Sequence, residues 1–247
     1  MGRQLDDGLG AYVLSNAPGV VELRRYAMHP GRRDELIELF EREFIETQEA
    51  CGMMAFGHYR DVADPDAFVW MRGFARMEDR APALEAFYRK SITWKTHRDA
   101  ANATLLDSDN VLLLRNARGA RGVDLAGLVR PDRAREGTVV PVTIFMLETR
   151  ATVAFIETVE RMLVAGLAVL GERIAYWVSE ERPNDFPALP VRESEFAFVI
   201  TGICRDDGAV ARWIESCDAF EAGAAGGVRI LSRETLRLAP AARSLYQ

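Results

Sequence analysis

The chain contains 247 residues, of which 49% are hydrophobic and 28% charged, and its formal net charge is −6 at pH 7. This composition is typical of a folded globular protein, and the length allows one large domain or two small ones. The acidic balance disfavours general nucleic-acid binding, because a negatively charged surface repels phosphate backbones.

The first half of the chain predicts the element order β-α-β-β-α-β. The expected elements are a strand at residues 20–26, a helix at 32–50, strands at 54–60 and 68–74, a helix with Asp79 as its N-cap and Pro82 in its first turn, and a strand at 110–114. Apolar side chains in the first helix recur at the three- and four-residue spacing of one helix face. The turn residues Asp64-Pro65-Asp66 predict a hairpin between the two middle strands.

The second half predicts the same order again. The expected elements are a strand at 139–145, a helix at 155–170 that ends at Gly171, a hairpin of strands at 174–180 and 195–203, a helix at 206–217, and a strand at 228–231. The connection within this second hairpin, residues 181–194, is about twice as long as its first-half counterpart at 61–67.

The sequence of the third predicted strand in the first half can be aligned without gaps with that of the third predicted strand in the second half. The alignment pairs residues 68–74 with 197–203, Gly73 with Gly202, Trp70 with Val199, and Arg72 with Thr201. Because Val199 and Thr201 lack the ring and the charge of their first-half counterparts, we expect that a site, if present, lies in the first half.

The predicted fold is α+β, with two tandem ferredoxin-like (β-α-β-β-α-β) halves. We expect a first domain at residues 18–115, a linker at 116–137 and a second domain at 138–247. A four-stranded sheet with both helices on one face leaves its other face bare, and an apolar bare face must be covered. Strands such as 139–147 are almost continuously apolar, as in sheets buried on both faces. The halves are therefore expected to pack together as a barrel, closed within one chain or between chains.

Several signals bear on the location of the protein. The three cysteines, Cys51, Cys204 and Cys217, form no CxxC pair, which favours free thiols in a reducing compartment. Residues 1–17 lack the apolar core of a secretion signal, and the apolar stretch 151–170 carries charged residues that disfavour a membrane span. We expect a cytoplasmic protein without membrane insertion.

A combination of segments resembles the NIPSNAP family. The segments include Val21-Glu22-Leu23-Arg24-Arg25-Tyr26, Phe68-Val69-Trp70-Met71-Arg72-Gly73-Phe74, Ala83-Leu84-Glu85-Ala86-Phe87-Tyr88 and Trp94-Lys95-Thr96-His97-Arg98, with a looser similarity at 236–244. The resemblance implies a tandem-domain bacterial member of the dimeric α/β barrel superfamily and a homo-oligomer. It also implies a function that is not settled, since the family has no agreed reaction.

One group of polar and aromatic residues is the candidate ligand pocket. Its members are Trp70, Arg72, Tyr88, Trp94, His97, Arg98 and Asn102. Trp70 and Arg72 are two apart on a strand and share a face. Trp94, Arg98 and Asn102 follow one another at four-residue intervals along a helix.

This group has a functional and a structural interpretation. A guanidinium beside aromatic walls suits a carboxylate or phenolate, while Asn102 could orient a carbonyl and His97 could move a proton. Such a site would suit cofactor-independent monooxygenation or isomerisation of a small aromatic substrate, by analogy with other members of the superfamily. In the structural interpretation, the tryptophans fill space, and the arginines pair with carboxylates such as Asp79, Glu85 or Asp99.

Three functions therefore stay open: small-molecule binding without catalysis, an enzyme, and a module for assembly. A pocket lined by Trp70 and Arg72 favours the first two, whereas a sealed core with Arg72 in a salt bridge favours the third. With three histidines and no close cluster of metal ligands, no metal is expected. Phosphate-binding glycine loops and the GxSxG motif are missing from the sequence, and no cofactor is expected.

Overall fold

The computed structural model describes residues 17–117, 122–223 and 226–247. Residues 1–16 lie outside this description, as do residues 118–121 of the expected linker. The expectation about a secretion signal at 1–17 therefore falls almost wholly outside the described residues.

The described residues contain eight strands and seven α-helices. The strands are β1 (Val20–Met28), β2 (Met54–Asp61), β3 (Ala67–Phe74), β4 (Leu105–Asn116), β5 (Val140–Leu147), β6 (Glu172–Ser179), β7 (Phe196–Ile203) and β8 (Ile230–Pro240). The helices are α1 (Arg33–Leu39), α2 (Ile45–Ala50), α3 (Met77–Glu85), α4 (Ile92–Asn102), α5 (Val153–Val159), α6 (Ala165–Leu167) and α7 (Asp207–Ala222). Three π-helical segments, Phe40–Phe44, Ala86–Lys90 and Glu160–Val164, adjoin these helices.

The eight strands close into one antiparallel barrel within a single chain. Their order is β1-β3-β2-β8-β5-β7-β6-β4. The first-half strands therefore follow the order β4-β1-β3-β2, and the second-half strands follow the equivalent order β8-β5-β7-β6. Short ladders of three residue pairs join β2 to β8 and β4 to β6. The expected α+β class is confirmed, and the barrel closes without a second subunit.

The closed sheet is buried on both faces, and this creates three cores. Inside the barrel, Val21 and Leu23 of β1 pack with inward residues of both halves. On the outer face, the first-half helices pack over Trp70 and Phe74, and the second-half helices pack over Phe198. Successive residues of a strand point to opposite faces, so each strand supplies two cores at once.

Several expected boundaries differ from the structure. The last strand was expected at 228–231, but β8 runs from Ile230 to Pro240, because Leu236 and Leu238 are buried alternately with the partly exposed Thr235, Arg237 and Ala239. β4 is also longer than expected and begins at Leu105. Asp79 is not an N-cap: Arg76 holds that position, and Asp79 lies in the first turn of α3. Pro82 accordingly lies inside the helix rather than in its first turn.

The alignment of the two third strands was wrong by one residue. Arg24 pairs with Trp70 in the first half, and the equivalent second-half pair is Thr143 with Ile200. The counterpart of Trp70 is therefore Ile200, and the counterpart of Arg72 is Gly202. A shift of one residue exchanges the two faces of a strand, so the expected partners Val199 and Thr201 belong to the barrel interior instead.

This corrected alignment explains why the second half has a filled outer core. Trp213 lies seven residues after the N-cap of α7, where α3 has Ala83. Its indole Nε1 donates to Thr143 Oγ1 at 3.0 Å. A Cβ at Gly202 would lie 2.9 Å from the Trp213 ring, so the missing side chain makes room for the indole. The tryptophan occupies the space that charged side chains occupy in the first half.

Within the part of the chain that the structure describes, each helix is too short or too polar to cross a bilayer.

Replacing Trp213 by Ala is expected to lower the free energy of unfolding by about 3–5 kcal/mol, because it leaves a large cavity in a closed core. Urea denaturation followed by circular dichroism measures this change. Trp94→Ala is the matched control, since Trp94 is only partly buried and already borders open space. Equal losses in the two variants would show that the second-half core is no tighter than the first.

Candidate functional site

A cavity of about 450 Å³ lies between the outer face of the first-half sheet and its helices. Its walls are mainly aromatic: Phe40, Phe44, Trp70, Phe87 and Trp94. Its polar lining consists of Tyr26, Gln48, Tyr88, Arg89, Asn102 and Ser108. The arrangement of a large apolar space with a few polar groups is that of small-molecule sites in general.

The second half of the chain supplies one wall of this first-half cavity. The connection between β6 and β7, here called the β6–β7 loop (residues 180–195), brings Phe186, Ala188 and Leu189 to the lining. The Phe186 ring lies 6.4 Å from the Tyr88 ring, between centroids. The extra length of this loop, which was noted in the sequence, therefore closes a site that the first half leaves open.

A buried ion cluster lies directly behind the cavity wall. The Glu22 carboxylate accepts from Arg24 at 2.6 Å, from Arg72 Nε at 2.8 Å and from Arg80 Nε at 2.7 Å. All four side chains are at most 1% exposed. Arg80 also contacts Asp185 of the β6–β7 loop, which ties that loop to the cluster.

Glu22 stays ionised in this cluster. Burial by itself raises the pKa of Glu22, but the nearby charges of Arg72, Arg24 and Arg80 outweigh burial and hold the pKa well below its ordinary value. Among the described residues, three guanidinium groups thus face two carboxylates, and the second carboxylate, that of Asp185, is partly exposed. The cluster retains a net positive charge behind an apolar wall.

Two tyrosine hydroxyls connect the cluster to the cavity. Arg24 Nε donates to the Tyr26 hydroxyl at 2.9 Å, and Arg72 donates to the Tyr88 hydroxyl at 3.1 Å. Both guanidinium groups also lie over the Trp70 ring, at 5.5 and 5.2 Å from its centroid, in favourable cation–π positions. Arg24 and Arg72 are absent from the described lining of the cavity, whereas the two tyrosines that accept hydrogen bonds from them line it.

The structure brings together most of the residues in the candidate ligand pocket. Trp70, Tyr88, Trp94 and Asn102 line the cavity. Arg72 does not line it but bonds Tyr88 from behind. The expected partners of Arg72 in the structural interpretation, Asp79, Glu85 and Asp99, are wrong, since its carboxylate partner is Glu22.

His97 and Arg98 lie apart from the cavity. His97 Nε2 is 3.6 Å from Glu43, and its ring packs against Phe44 from outside the lining. Arg98 is exposed and pairs with Asp99 at 3.4 Å, as the structural interpretation expected. The expectation that His97 could move a proton for a ligand finds no support in this geometry.

Arg72 is the one member of the cluster that was predicted from the sequence to lie in the candidate pocket. Glu22, Arg24 and Tyr26 alternate with Val21 and Leu23, so a polar face on an otherwise buried strand was a usable signal. For Arg80 and Phe186 no comparable signal exists, because their roles depend on contacts with distant segments.

His58 and the cysteines lie elsewhere. His58 is fully buried beside Phe40, and neither ring nitrogen has a hydrogen-bond partner among the described residues. Cys51, Cys204 and Cys217 are free and buried. Burial raises the pKa of the Cys51 thiol, which disfavours a role as nucleophile. The described residues contain no group of three or more His, Cys, Asp or Glu side chains suited to a metal ion.

Residues 21–116 match the model of the NIPSNAP family. The resemblance expected from the sequence is thereby confirmed for this segment. It contains the first-half helices and every lining residue of the cavity except those of the β6–β7 loop. No curated protein matches the chain significantly.

Solved structures share the whole architecture. A candidate monooxygenase from Fusobacterium nucleatum subsp. nucleatum ATCC 25586 is 9% identical, with a TM-score of 0.57 over 91% of this chain and 93% of that one. Another, from Lactobacillus acidophilus NCFM, is 14% identical, with a TM-score of 0.54 over 91% and 94%. An anthrone oxidase-like protein is 15% identical, with a TM-score of 0.54 over 92% and 95%. These likenesses show a common α+β fold.

Replacing Glu22 by Gln is expected to lower the free energy of unfolding by about 3–5 kcal/mol, because it leaves buried guanidinium groups without their counter-charge. Since the pKa of Glu22 is lowered in the folded chain, its ionised carboxylate stabilises the fold at pH values above the ordinary carboxyl pKa. This stabilisation is lost as the pH falls from the ordinary carboxyl pKa toward the lower pKa of the folded state. Urea denaturation at neutral pH measures the effect. Glu35→Gln, which breaks an exposed pair with Arg32, should change little; a comparable loss there would contradict the importance of burial.

We expect His58 to make the stability of the fold depend on pH in a second range. Burial, together with the charges of Arg130 and Arg243, lowers the pKa of His58 well below its ordinary value. The unfolded chain therefore takes up a proton first as the pH falls, and the folded state loses stability below about pH 6.5. Between pH 7.5 and about 5.5, we expect a loss of about 1 kcal/mol that His58→Phe removes.

Denaturation at the two pH values measures the His58 effect. His29→Phe is the control, because His29 is exposed. This substitution should leave the pH dependence of the free energy of unfolding unchanged. An unaltered pH dependence in His58→Phe would assign the effect to other groups.

Proposed function

We propose that the first-half cavity binds a small, largely aromatic organic molecule. The observation that carries this proposal is an open space of about 450 Å³, walled by aromatic rings, at the place where the second half has a filled core. A protein interior is normally close-packed, so a space of this size beside buried polar groups has a cost that a bound molecule would offset.

Binding is better supported than acid–base catalysis. Among the described residues that line the cavity there is no His, Asp, Glu or Cys. A general base that removes a proton from a ligand near neutral pH is usually one of these side chains, within hydrogen-bond reach of the ligand. Arg24 and Arg72, which could stabilise charge, are bonded to Glu22 and do not line the cavity. Arg89 does line it and is paired with Glu85.

Cofactor-independent monooxygenation is the second candidate function, with isomerisation as its variant. It is favoured by the descriptions of similar folds as candidate monooxygenases and an anthrone oxidase-like protein, which at these identities concern the neighbours alone. In such chemistry the substrate's own acidic proton would leave without a protein base, and molecular oxygen would be the oxidant. Oxygen uptake with a bound phenolic substrate would separate this candidate from simple binding.

The third candidate, an assembly module, has partial support. Arg72 is locked in a salt bridge, as that function required. The core beside it is not sealed, however, and the open cavity is what the two ligand-binding functions required.

We also propose that the chain consists of two ferredoxin-like domains, at residues 18–115 and 138–247, joined by a linker at 116–137. The equivalent strand orders of the two halves support this division. Association into homo-oligomers and a cytoplasmic location stay predictions.

Filling the cavity tests the proposed function. Ala101 lines the cavity and is buried, whereas the neighbouring Ala100 is exposed on the same helix. We expect 2-methoxynaphthalene, a neutral two-ring probe, to bind the wild-type chain and Ala100→Phe, and to bind Ala101→Phe at least about tenfold more weakly. Isothermal titration calorimetry measures the affinities.

Leu189→Trp is a second blocking variant, on the β6–β7 loop, in case Ala101→Phe does not fold. Circular dichroism establishes that each variant is folded before titration. Failure of the wild type to bind the probe, or equal binding by folded blocking variants, would overturn the proposal.

A further inference from the structure

The floor of the cavity is unusual because it presents proton donors that are themselves bonded to buried cations. Tyr26 and Tyr88 each accept a hydrogen bond from an arginine. Such a bond uses a lone pair of the hydroxyl oxygen and leaves its proton free. Within the described residues neither hydroxyl has an acceptor for that proton, and both tyrosines line the cavity.

We propose that this floor binds the deprotonated oxygen of a phenol or enol, which accepts hydrogen bonds from the Tyr26 and Tyr88 hydroxyls. The inference rests on the proposed function and specifies the class of its ligand. The proton released by the ligand passes to bulk water when the anion binds.

The charge of the cluster favours an anion at this place. Three buried guanidinium groups, those of Arg24, Arg72 and Arg80, face the carboxylates of Glu22 and the partly exposed Asp185 among the described residues. An unbalanced positive charge in an apolar interior is costly, and the field of that charge is poorly screened there. A ligand anion at the hydroxyls would reduce this imbalance, whereas a neutral ligand would not.

The Tyr26 hydroxyl is suited to donate rather than to ionise. Burial raises the pKa of Tyr26, which outweighs the opposing effect of Arg24, so this side chain remains a proton donor at neutral pH. A hydroxyl that accepts from a guanidinium becomes a stronger donor, because successive hydrogen bonds polarise one another. Arg24 bonds the Tyr26 hydroxyl and Arg72 bonds the Tyr88 hydroxyl, and both guanidinium groups also bond Glu22, so both hydroxyls adjoin one cluster.

The geometry favours a phenolic or enolic oxygen over a carboxylate. A carboxylate is best bound by the two-pronged fork of a guanidinium. The Arg72 fork is occupied by Glu22, and Arg24 divides its donors between Glu22 and Tyr26. The guanidinium of Arg89, which lines the cavity, is paired with Glu85. Single hydroxyl donors match a single charged oxygen. The ring that carries such an oxygen would pack against the aromatic walls of the cavity.

One further group supports an acceptor in the cavity. Trp70 lines the cavity and is 2% exposed, and its indole Nε1 has no hydrogen-bond partner among the described residues. Leaving a buried donor unpaired costs on the order of 1–3 kcal/mol, so a ligand oxygen within reach would remove a penalty of the empty site.

The test uses 4-nitrophenol, whose ionisation is visible by absorbance, and its neutral ether 4-nitroanisole. With the full chain, we expect the pKa of bound 4-nitrophenol to fall by at least about one unit, which corresponds to tenfold tighter binding of the anion than of the neutral phenol. Tyr26→Phe and Tyr88→Phe should each reduce this shift, and the double variant should abolish it. The affinity of each of these variants for 4-nitroanisole should differ from that of the wild-type chain by less than about twofold.

Tyr59→Phe is the control for removal of a tyrosine hydroxyl, because Tyr59 bonds the Tyr246 carbonyl away from the cavity. It should leave the shift intact. Binding of both probes with an unshifted pKa would overturn this inference but leave the proposed function standing. Failure of both probes to bind would overturn the two together. Equally tight binding of 4-nitrobenzoate would show selection for negative charge alone and would also overturn the phenolic assignment.

Discussion

Burial of both faces of one closed sheet is the constraint on which this structure depends. Alternate residues of β1 must satisfy two different environments, the apolar barrel interior and the helix layer outside. Val21 and Leu23 are stable in the barrel interior through apolar packing alone. Glu22 and Arg24, which face the helices without access to water, are stable there only because they neutralise each other.

The same requirement links stability to the cavity. Glu22 needs several arginines to offset its own desolvation, and Arg72 and Arg24 in turn find further acceptors in the hydroxyls of Tyr88 and Tyr26. The structural and functional interpretations of Arg72 are therefore compatible. Its guanidinium is fixed by an ion pair, and for that reason it holds a tyrosine hydroxyl in place at the cavity.

The two halves show how one strand order can support an open and a filled core. Where the first half has Arg24, Arg72 and Ala83, the second has Thr143, Gly202 and Trp213 at corresponding positions. Thr143 and Gly202 lie beside the buried Trp213, whose indole bonds the Thr143 hydroxyl. The second half instead contributes its long β6–β7 loop, which completes the cavity of the first.

The sequence by itself determined the β-α-β-β-α-β order of each half, the α+β class and the NIPSNAP resemblance, because the periodicity and turn chemistry behind them are local. It also placed Trp70, Tyr88, Trp94 and Asn102 near one another, since they come from adjacent elements. Only the tertiary structure decided the register of the two halves, the role of Glu22 and the part played by Phe186. These depend on which face of a strand is turned toward the helices and on contacts between residues more than a hundred positions apart, such as Arg80 with Asp185, and neither leaves a local pattern.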